Sequence, residues 1–256
     1  MTNQHDESQE LSEFEFDDFM SIGDDGMLVR WKPNEGRKVV SIGHDGKRYI
    51  VKTHSGVGWG EIVKNLGSLR LPVFGVENEV RGIRHLKMNQ IGTAEIVRYG
   101  TRKRFIAGFL PDPARHQSFL VTKNISQTIN LEDLFKDKKF FERNAIKLPD
   151  KIRLKRWLIE QLAQTARILH NSAATHRNLY LKNFLLQLSN GGVEISPENS
   201  KLFLIGLRRM MIHVPTTGAW IKAMCIALLK LQSRVVVPQN ITPVPWRMRD
   251  VAALPY

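Results

Sequence analysis

The order of strand-like and helix-like patterns constrains the fold of this chain more than any other feature. Short β-rich runs fill residues 27–52, and the Asp45-Gly46 pair between two of them predicts a tight hairpin. Residues 94–124 return to strand-like runs, while residues 60–71 and 76–90 have helical spacing. Farther along, an apolar stripe at helical spacing predicts one long helix. The stripe consists of Leu154, Leu158, Leu162, Thr165 and Leu169. A β-rich half followed by a helix-rich half predicts an α+β fold.

Charge is divided unevenly along the chain. Residues 1–25 contain nine acidic residues and no Lys or Arg. Because the whole chain carries +13, this leaves +22 for residues 26–256. The first 25 residues are therefore predicted to form an acidic mobile arm, and the basic body predicts an anionic partner. Nucleic acid, an anionic membrane surface and a phosphorylated substrate all fit, and the alternative is that the basic residues only solvate the surface.

Several features bear on the compartment. The first residues have neither a basic region nor an apolar region of the secretory type, so a cytoplasmic location is expected. Cys225 is the single cysteine, which suits a reducing compartment. Its neighbours predict a packed helix residue, and no spacing in the chain resembles a zinc site.

Two residues of the β-rich half have the spacing of a nucleotide site. Lys52 ends a β-rich run, and Glu79 follows on the second helical stretch after it. Protein kinases place a strand lysine and a helix glutamate in this order, so that the lysine holds nucleotide phosphates and the glutamate holds the lysine. Glu77 is the alternative partner, and Lys52 by itself could be a solvent-facing strand residue.

The helix-rich half continues the same order of residues. The long predicted helix leads into His176-Arg177-Asn178, and Asn183 follows five residues after Asn178. A later strand-like run ends at Gly206. In kinases the loop aspartate orients the attacking hydroxyl, while a loop asparagine and a strand-end aspartate hold magnesium. His176 and Arg177 are predicted to shape the loop rather than to touch a substrate.

Three segments resemble the lipopolysaccharide core heptose kinase family. The first, residues 51–83, reads VKTHSGVGWGEIVKNLGSLRLPVFGVENEVRGI. The second, residues 153–186, reads RLKRWLIEQLAQTARILHNSAATHRNLYLKNFLL, and the third is PWRMRDVAAL at residues 245–254. The resemblance implies a two-lobed protein-kinase-like fold, with a β-rich N-lobe over residues 26–124 that carries Glu79. A helical C-lobe is expected over residues 125–256.

The resemblance also implies an activity. Members of the family transfer phosphate from ATP, with Mg²⁺, to a heptose of the lipopolysaccharide inner core at the cytoplasmic face of the inner membrane. An anionic core glycolipid is then the expected substrate, with peripheral membrane contact, and acyl carrier protein is a further partner that the family implies. Nucleic acid is the weakest partner hypothesis, because only charge supports it.

This chain departs from the family pattern at the positions that carry the chemistry. Asn178 stands where the family has its catalytic aspartate, and Gly206 stands where it has the metal-binding aspartate. Asn183 keeps one amide oxygen for a metal, where the family tends to have histidine. Relative to the family, residues 216–243 are an insertion, and the C-lobe ends soon after Asp250.

Three functions remain open from these residues. The chain is an active heptose kinase that uses substitutes for the missing acids, a pseudokinase that binds nucleotide or glycolipid without turnover, or a decayed family member. Because a neutral amide cannot act as a base and glycine offers no metal ligand, the sequence favours a family member with impaired catalysis.

Overall fold

The computed structural model of the chain divides into two compact units. The N-terminal unit comprises residues 1–84 and 93–126, and the C-terminal unit comprises residues 85–92 and 127–256. The structure describes residues 2–6, 10–22, 27–32, 36–56, 58–67, 75–106, 110–136, 151–189 and 194–213. The predicted insertion at residues 216–243, Cys225 and Asp250 all lie outside the described residues.

One antiparallel sheet forms the framework of the N-terminal unit. Its strands are β1 (Thr2–Asp6), β2 (Met27–Lys32), β3 (Arg37–His44), β4 (Lys47–His54), β5 (Ile96–Ile106) and β6 (Leu110–Lys123). They lie in the order β1-β5-β6-β4-β3-β2. Three helices accompany the sheet, α1 (Phe16–Ser21), α2 (Gly58–Gly67) and α3 (Glu77–Met88). The predicted mixed fold, rich in β-structure in its N-terminal part, is confirmed.

The hairpin predicted at Asp45-Gly46 joins β3 to β4. His44 pairs with Lys47, so the loop contains two residues. Both have positive φ, 48° at Asp45 and 70° at Gly46. This is the conformation that a two-residue turn needs if its twist is to match that of the strands, and it is one that Asp and Gly adopt readily. Local sequence was therefore enough to predict this hairpin.

The acidic segment at the N-terminus is packed, which contradicts the prediction of a mobile arm. Phe16 and Phe19 of α1 are 2% and 0% exposed, in a cluster that includes Val51 and Phe119 of the sheet. The rings of Phe19 and Phe119 stack with centroids 4.4 Å apart. Composition suggested an arm because nine acids surround a few aromatics, but the segment is held by two buried phenylalanines together with the strand pairing of β1 with β5 and hydrogen bonds from the sheet.

Basic residues of the sheet bind the same acidic segment. The guanidinium of Arg98 donates hydrogen bonds to the carbonyl oxygens of Leu11, at 2.8 Å, and Phe14, at 2.5 Å. Arg102 forms two hydrogen bonds with the carboxylate of Asp17, at 2.6 and 3.0 Å. The hydrogen bond from Arg102 lowers the pKa of Asp17 despite some desolvation. Part of the charge asymmetry of the sequence is therefore satisfied within the N-terminal unit.

The C-terminal unit contains the long helix and two small sheets. Its helices are α4 (Leu131–Lys136) and α5 (Lys151–Asn171), and its strands are β7 (Thr128–Asn130), β8 (Ala174–Thr175), β9 (Phe184–Gln187), β10 (Lys201–Leu204) and β11 (Met211–Ile212). One sheet has the order β10-β9-β7, and β11 pairs with β8 in the other. The four leucines of the predicted apolar stripe are buried on α5, which confirms that helix.

Within the described part of the chain, no helix combines the length and the hydropathy that a membrane crossing requires.

Replacing Phe19 by alanine tests the packing of the N-terminal segment. Phe19→Ala removes a fully buried ring, so we expect the free energy of unfolding to fall by about 3–5 kcal/mol. Urea denaturation of the full chain measures this change. Phe105→Ala is the matched control, because Phe105 lies in the same unit and is 41% exposed. A Phe19→Ala variant as stable as this control would mean that the segment is a free arm after all.

Candidate active site

Lys52 is held at an interior position of the six-stranded sheet. Its backbone pairs with Val39 of β3 on one side and with Leu120 of β6 on the other. Alternate residues of a strand point to opposite faces. Tyr49 and Val51 belong to the cluster that buries α1, so Lys52 points to the other face of the sheet.

Glu79 of α3 meets Lys52 on that face. The Nζ of Lys52 lies 2.5 Å from Oε1 of Glu79, and the two side chains are 24% and 7% exposed. A carboxylate buried to this degree needs a cation beside it, and removing one partner of such a pair leaves an uncompensated charge. Of the two glutamates that the sequence left open, the structure therefore pairs Glu79 with Lys52.

Glu77 binds a different residue. Its Oε1 lies 2.7 Å from Nε2 of His116 on β6, and the His116 side chain is 9% exposed. One residue earlier, the backbone N–H of Val76 donates to Oγ of Ser118, also on β6, at 3.2 Å. These two contacts attach the start of α3 to β6. Glu79 then follows two residues later, at the place where it reaches Lys52.

The environment of Glu77 shifts its pKa. Burial by itself would raise the pKa of this carboxyl, but the hydrogen bond from His116 and a backbone hydrogen bond more than offset that effect. The net result is a pKa below the ordinary value of 4.5, to which the neighbouring His54 also contributes. Glu77 therefore favours the ionised form, and its charge supports the attachment of α3 to β6.

The predicted loop residues lie together in the C-terminal unit. His176 is completely buried, and its Nε2 donates to the carbonyl oxygen of Ile205 at 3.0 Å. Arg177 has a φ of 64°, in the left-handed region, and its Nη1 lies 3.3 Å from Sδ of Met211. Both side chains thus connect the loop after β8 to the segment that follows β10.

Asn178 and Asn183 are joined within this loop. The carbonyl oxygen of Asn178 accepts one hydrogen bond from Nδ2 of Asn183, at 2.6 Å, and another from the backbone N–H of Tyr180, at 2.8 Å. The carbonyl oxygen of Asn183 in turn accepts a hydrogen bond from the N–H of Ile205, at 2.8 Å. Asn183 therefore links the predicted catalytic position to the residue just before Gly206.

Gly206 has a backbone conformation that restricts what can replace it. Its φ is 73° and its ψ is 34°, in the left-handed region that favours glycine. A Cβ atom at this position would lie 2.7 Å from Oδ1 of Asn183, closer than real Cβ contacts come. Aspartate tolerates the left-handed region better than most residues do. Even so, any side chain at position 206 has to displace the carboxamide of Asn183.

The groups at this loop do not fit a magnesium site. Mg²⁺ requires near-octahedral oxygen ligands and is usually bound through carboxylates. Asn178, Asn183 and Gly206 together offer two neutral amide oxygens and no carboxylate. Over the described ranges, no group of three or more His, Cys, Asp or Glu side chains could hold a metal ion.

Comparison with known families identifies the relationship. The model of the lipopolysaccharide kinase (Kdo/WaaP) family matches residues 29–253. The chain belongs to this family. The match includes both groups of candidate residues, from Lys52 to Gly206. It confirms the family resemblance found in the sequence.

Individual relatives agree with this membership of the Kdo/WaaP family. The chain is 36% identical to the lipopolysaccharide core heptose(I) kinase WaaP of Pseudomonas aeruginosa over 186 residues, 73% of this chain and 63% of that protein. It is 33% identical to the corresponding protein of Escherichia coli K12, over 73% of this chain and 64% of that protein. The chain thus spans less than two thirds of the length of these curated relatives.

A solved structure of the family resembles this fold. It is described as WaaP in complex with acyl carrier protein. The comparison has a TM-score of 0.57 and 26% sequence identity, and it covers 90% of this chain and 69% of the other. This likeness confirms the kinase-like fold class.

His116 is a site residue that the sequence analysis missed. Residues 116, 118 and 120 of β6 share one face, and Leu120 pairs with Lys52, so His116 lies on the face of the lysine. Alternation along the strand could have indicated this face. The partner of His116 could not be inferred, because it depends on where α3 packs. The contact between His116 and Glu77 can also be tested in other members of the Kdo/WaaP family.

The lowered pKa of Glu77 predicts how stability depends on pH. Its contribution is fully present above 4.5, the ordinary value, and is lost as the pH falls through the lower folded-state pKa. At pH 7 we expect Glu77→Gln to be less stable than the unsubstituted chain by roughly 1 kcal/mol. This is below the usual value for a charged hydrogen bond, because the side chain is 37% exposed.

Thermal melts at pH 7 and pH 3.5 measure this difference. The gap between the two proteins should narrow at the lower pH, since below 4.5 the unfolded chain binds a proton at Glu77 that the folded state binds less readily. Glu160→Gln on α5, an exposed glutamate, serves as the control and should show no gap at either pH. A Glu77→Gln gap that stays constant between the two pH values contradicts the assigned charge state.

Proposed function

We propose that this chain is a lipopolysaccharide core heptose kinase-like protein whose catalysis is impaired. The reaction implied for the family is ATP-dependent phosphorylation of an inner-core heptose. In this chain Lys52 would hold nucleotide phosphates, and Glu79 would orient the ammonium group of Lys52. Asn178 would stand at the catalytic position, and Gly206 at the position of a metal ligand.

One observation carries this proposal, namely that the loop of Asn178, Asn183 and Gly206 is neutral while the Lys52–Glu79 pair is intact. Phosphoryl transfer depends mainly on positioning and on neutralising charge. Loss of a positioned general base costs on the order of 10² to 10⁴ in rate. A chain with the lysine pair alone should bind nucleotide better than it turns nucleotide over.

The second candidate function is that of a pseudokinase, which binds nucleotide or core glycolipid without any turnover. The Gly206 geometry favours it, because Asn183 lies where a side chain at residue 206 would have to go. A decayed family member is the third candidate. It predicts that neither nucleotide nor glycolipid stabilises the chain.

The family also suggests partners and a location. We propose the anionic lipopolysaccharide core glycolipid as the substrate class, because relatives are described as core heptose(I) kinases. Acyl carrier protein is proposed as a partner, because the similar solved structure is of WaaP with that protein. Such a glycolipid lies in a membrane, so we place the chain in the cytoplasm with peripheral contact to the inner membrane. The +13 net charge supports an anionic surface as its target.

Thermal-shift titration with ATP tests nucleotide binding. If Lys52 binds phosphates, the melting temperature should rise with ATP concentration, by an amount set by the ratio of free ATP to Kd. The rise should be nearly the same with Mg²⁺ and with EDTA, since the loop offers no carboxylate for the metal. Lys52→Met should abolish the rise.

Lys38→Met provides the matched control for this titration. Lys38 lies on the neighbouring strand, paired with Thr53, on the face of the sheet opposite to Lys52. This variant should respond to ATP like the unsubstituted chain. A rise that survives in Lys52→Met would assign nucleotide binding to another site, and no rise in any variant would favour the decayed candidate.

Restoring both acids tests the proposed impairment. The double variant Asn178→Asp/Gly206→Asp should transfer phosphate from ATP to core glycolipid at least 10²-fold faster than the unsubstituted chain, and only with Mg²⁺. The single variant Gly206→Asp should gain little, because residue 178 remains an amide. Radiolabelled phosphate in the glycolipid is the measured product.

Two further results complete this experiment. Lys52→Met added to the double variant should return the rate to background, which would place the gain at the candidate site. An unsubstituted chain as fast as the double variant would refute the impairment and leave an ordinary active kinase.

A further inference from the structure

The end of the hairpin formed by β5 and β6 differs from the rest of the sheet. The first five residues of β5, Ile96 to Gly100, are all buried, whereas the last four, Lys103 to Ile106, are all exposed. The two strands stay paired as far as Ile106 and Leu110. Because successive residues point to opposite faces, the end of β5 is open to water on both sides, although Asp112 and Ala114 of β6 are buried.

Two large apolar side chains lie at this exposed end. Phe105 is 41% exposed and Ile106 is 42% exposed, on opposite faces of the same strand. Single exposed apolar residues are common on protein surfaces and need no explanation. Here two of them are adjacent, at the end of a strand whose last four residues are all exposed.

In the described part of the hairpin end the exposed charged side chains are positive, although the exposed Asp17 of α1 interacts electrostatically with Arg104. Lys103 and Arg104 precede Phe105 on β5, and Arg115 on β6 has a side chain that is 80% exposed. The one acid in the described part of the hairpin end is Asp112, which is 6% exposed, accepts a hydrogen bond from the N–H of Ala114 and forms an ion pair with Arg115 at 3.7 Å. We call Lys103, Arg104, Phe105, Ile106 and Arg115 the hairpin-end patch.

The chemistry of the hairpin-end patch selects one class of partner. A stable protein interface needs about 800 Å² from each side, which the narrow end of a two-stranded ribbon does not offer. Nucleic acid would use the cations and could stack on Phe105, but it has no apolar surface for Ile106. An anionic bilayer takes both kinds of group, because apolar side chains enter the interface while cations remain near lipid phosphates.

We propose that the hairpin-end patch is the part of this chain that contacts an anionic lipid bilayer. Phe105 and Ile106 enter the headgroup region, and Lys103, Arg104 and Arg115 lie against lipid phosphates. The inference deepens the proposed function, since it rests on a substrate that is held in a membrane. Vesicle binding tests the membrane contact without any phosphate transfer. Failure of the membrane contact therefore does not decide the proposed function, and failure of the proposed function does not decide the membrane contact.

Vesicle sedimentation with the full chain measures this contact. The vesicles contain phosphatidylethanolamine with about 30% phosphatidylglycerol in one set, which gives them a negative surface potential, and phosphatidylcholine alone in the other. The unsubstituted chain should bind the anionic vesicles, and about 0.5 M salt should weaken binding because it screens the cations. Two double variants, Phe105→Ser/Ile106→Ser and Lys103→Glu/Arg104→Glu, should each bind at least tenfold more weakly.

Matched controls separate the patch from the general charge of the chain. Lys155→Glu/Arg156→Glu makes the same charge change at two exposed neighbours on α5. Phe135→Ser/Ile159→Ser removes two apolar side chains that are each 46% exposed. Both controls should bind like the unsubstituted chain, and melting curves of all variants establish that they are folded.

Three results would overturn the proposal. The first is that the hairpin variants bind anionic vesicles as well as the unsubstituted chain. The second is that the controls lose as much binding as the hairpin variants, which would make net charge the cause. The third is that the chain binds a single-stranded oligonucleotide but no vesicle at the same salt concentration, with the oligonucleotide binding lost in the hairpin variants.

Discussion

The ion pair between Lys52 and Glu79 is the constraint on which the N-terminal unit depends. Glu79 is 5% exposed, and a carboxylate this deeply buried is stable only beside a cation. The pair can form only when β4 is in register within the sheet and the start of α3 is attached to β6. The bond between Glu77 and His116 provides that attachment. Glu77 and Glu79 thus have separate roles. Glu79 pairs with Lys52, and Glu77 positions the helix that carries Glu79.

The opposite face of the same sheet is closed by the acidic N-terminal segment. Phe16 and Phe19 fill the apolar surface there, and Arg98 holds the backbone between β1 and α1. Acids of this segment pair with basic residues of the sheet, as Asp17 does with Arg102. A strong charge asymmetry in a sequence is therefore an incomplete guide to external partners, because some of it neutralises itself on folding. What remains for a partner is positive charge that stays exposed.

The loop of the C-terminal unit keeps a defined shape without acidic groups. His176 is bonded to the carbonyl oxygen of Ile205, and Asn183 connects the backbone of Asn178 with that of Ile205. Gly206 lies directly beside the carboxamide of Asn183. Hydrogen bonds between the described groups of this loop are sufficient to give it a defined shape. In this member of the Kdo/WaaP family, Asn178, Asn183 and Gly206 thus form an ordered loop without a carboxylate among them.

The sequence by itself determined the features that depend on neighbours along the chain. The turn at Asp45-Gly46 and the buried stripe of α5 could be predicted because backbone preference and periodicity are local properties, and the family resemblance could be recognised because it lies in contiguous segments. The tertiary structure alone decided which glutamate meets Lys52, that Phe19 stacks on Phe119, and that His116 supports α3. Each of these contacts joins residues at least 27 positions apart. Such contacts depend on strand register and on which face a helix covers, and neither is encoded in a single stretch of sequence.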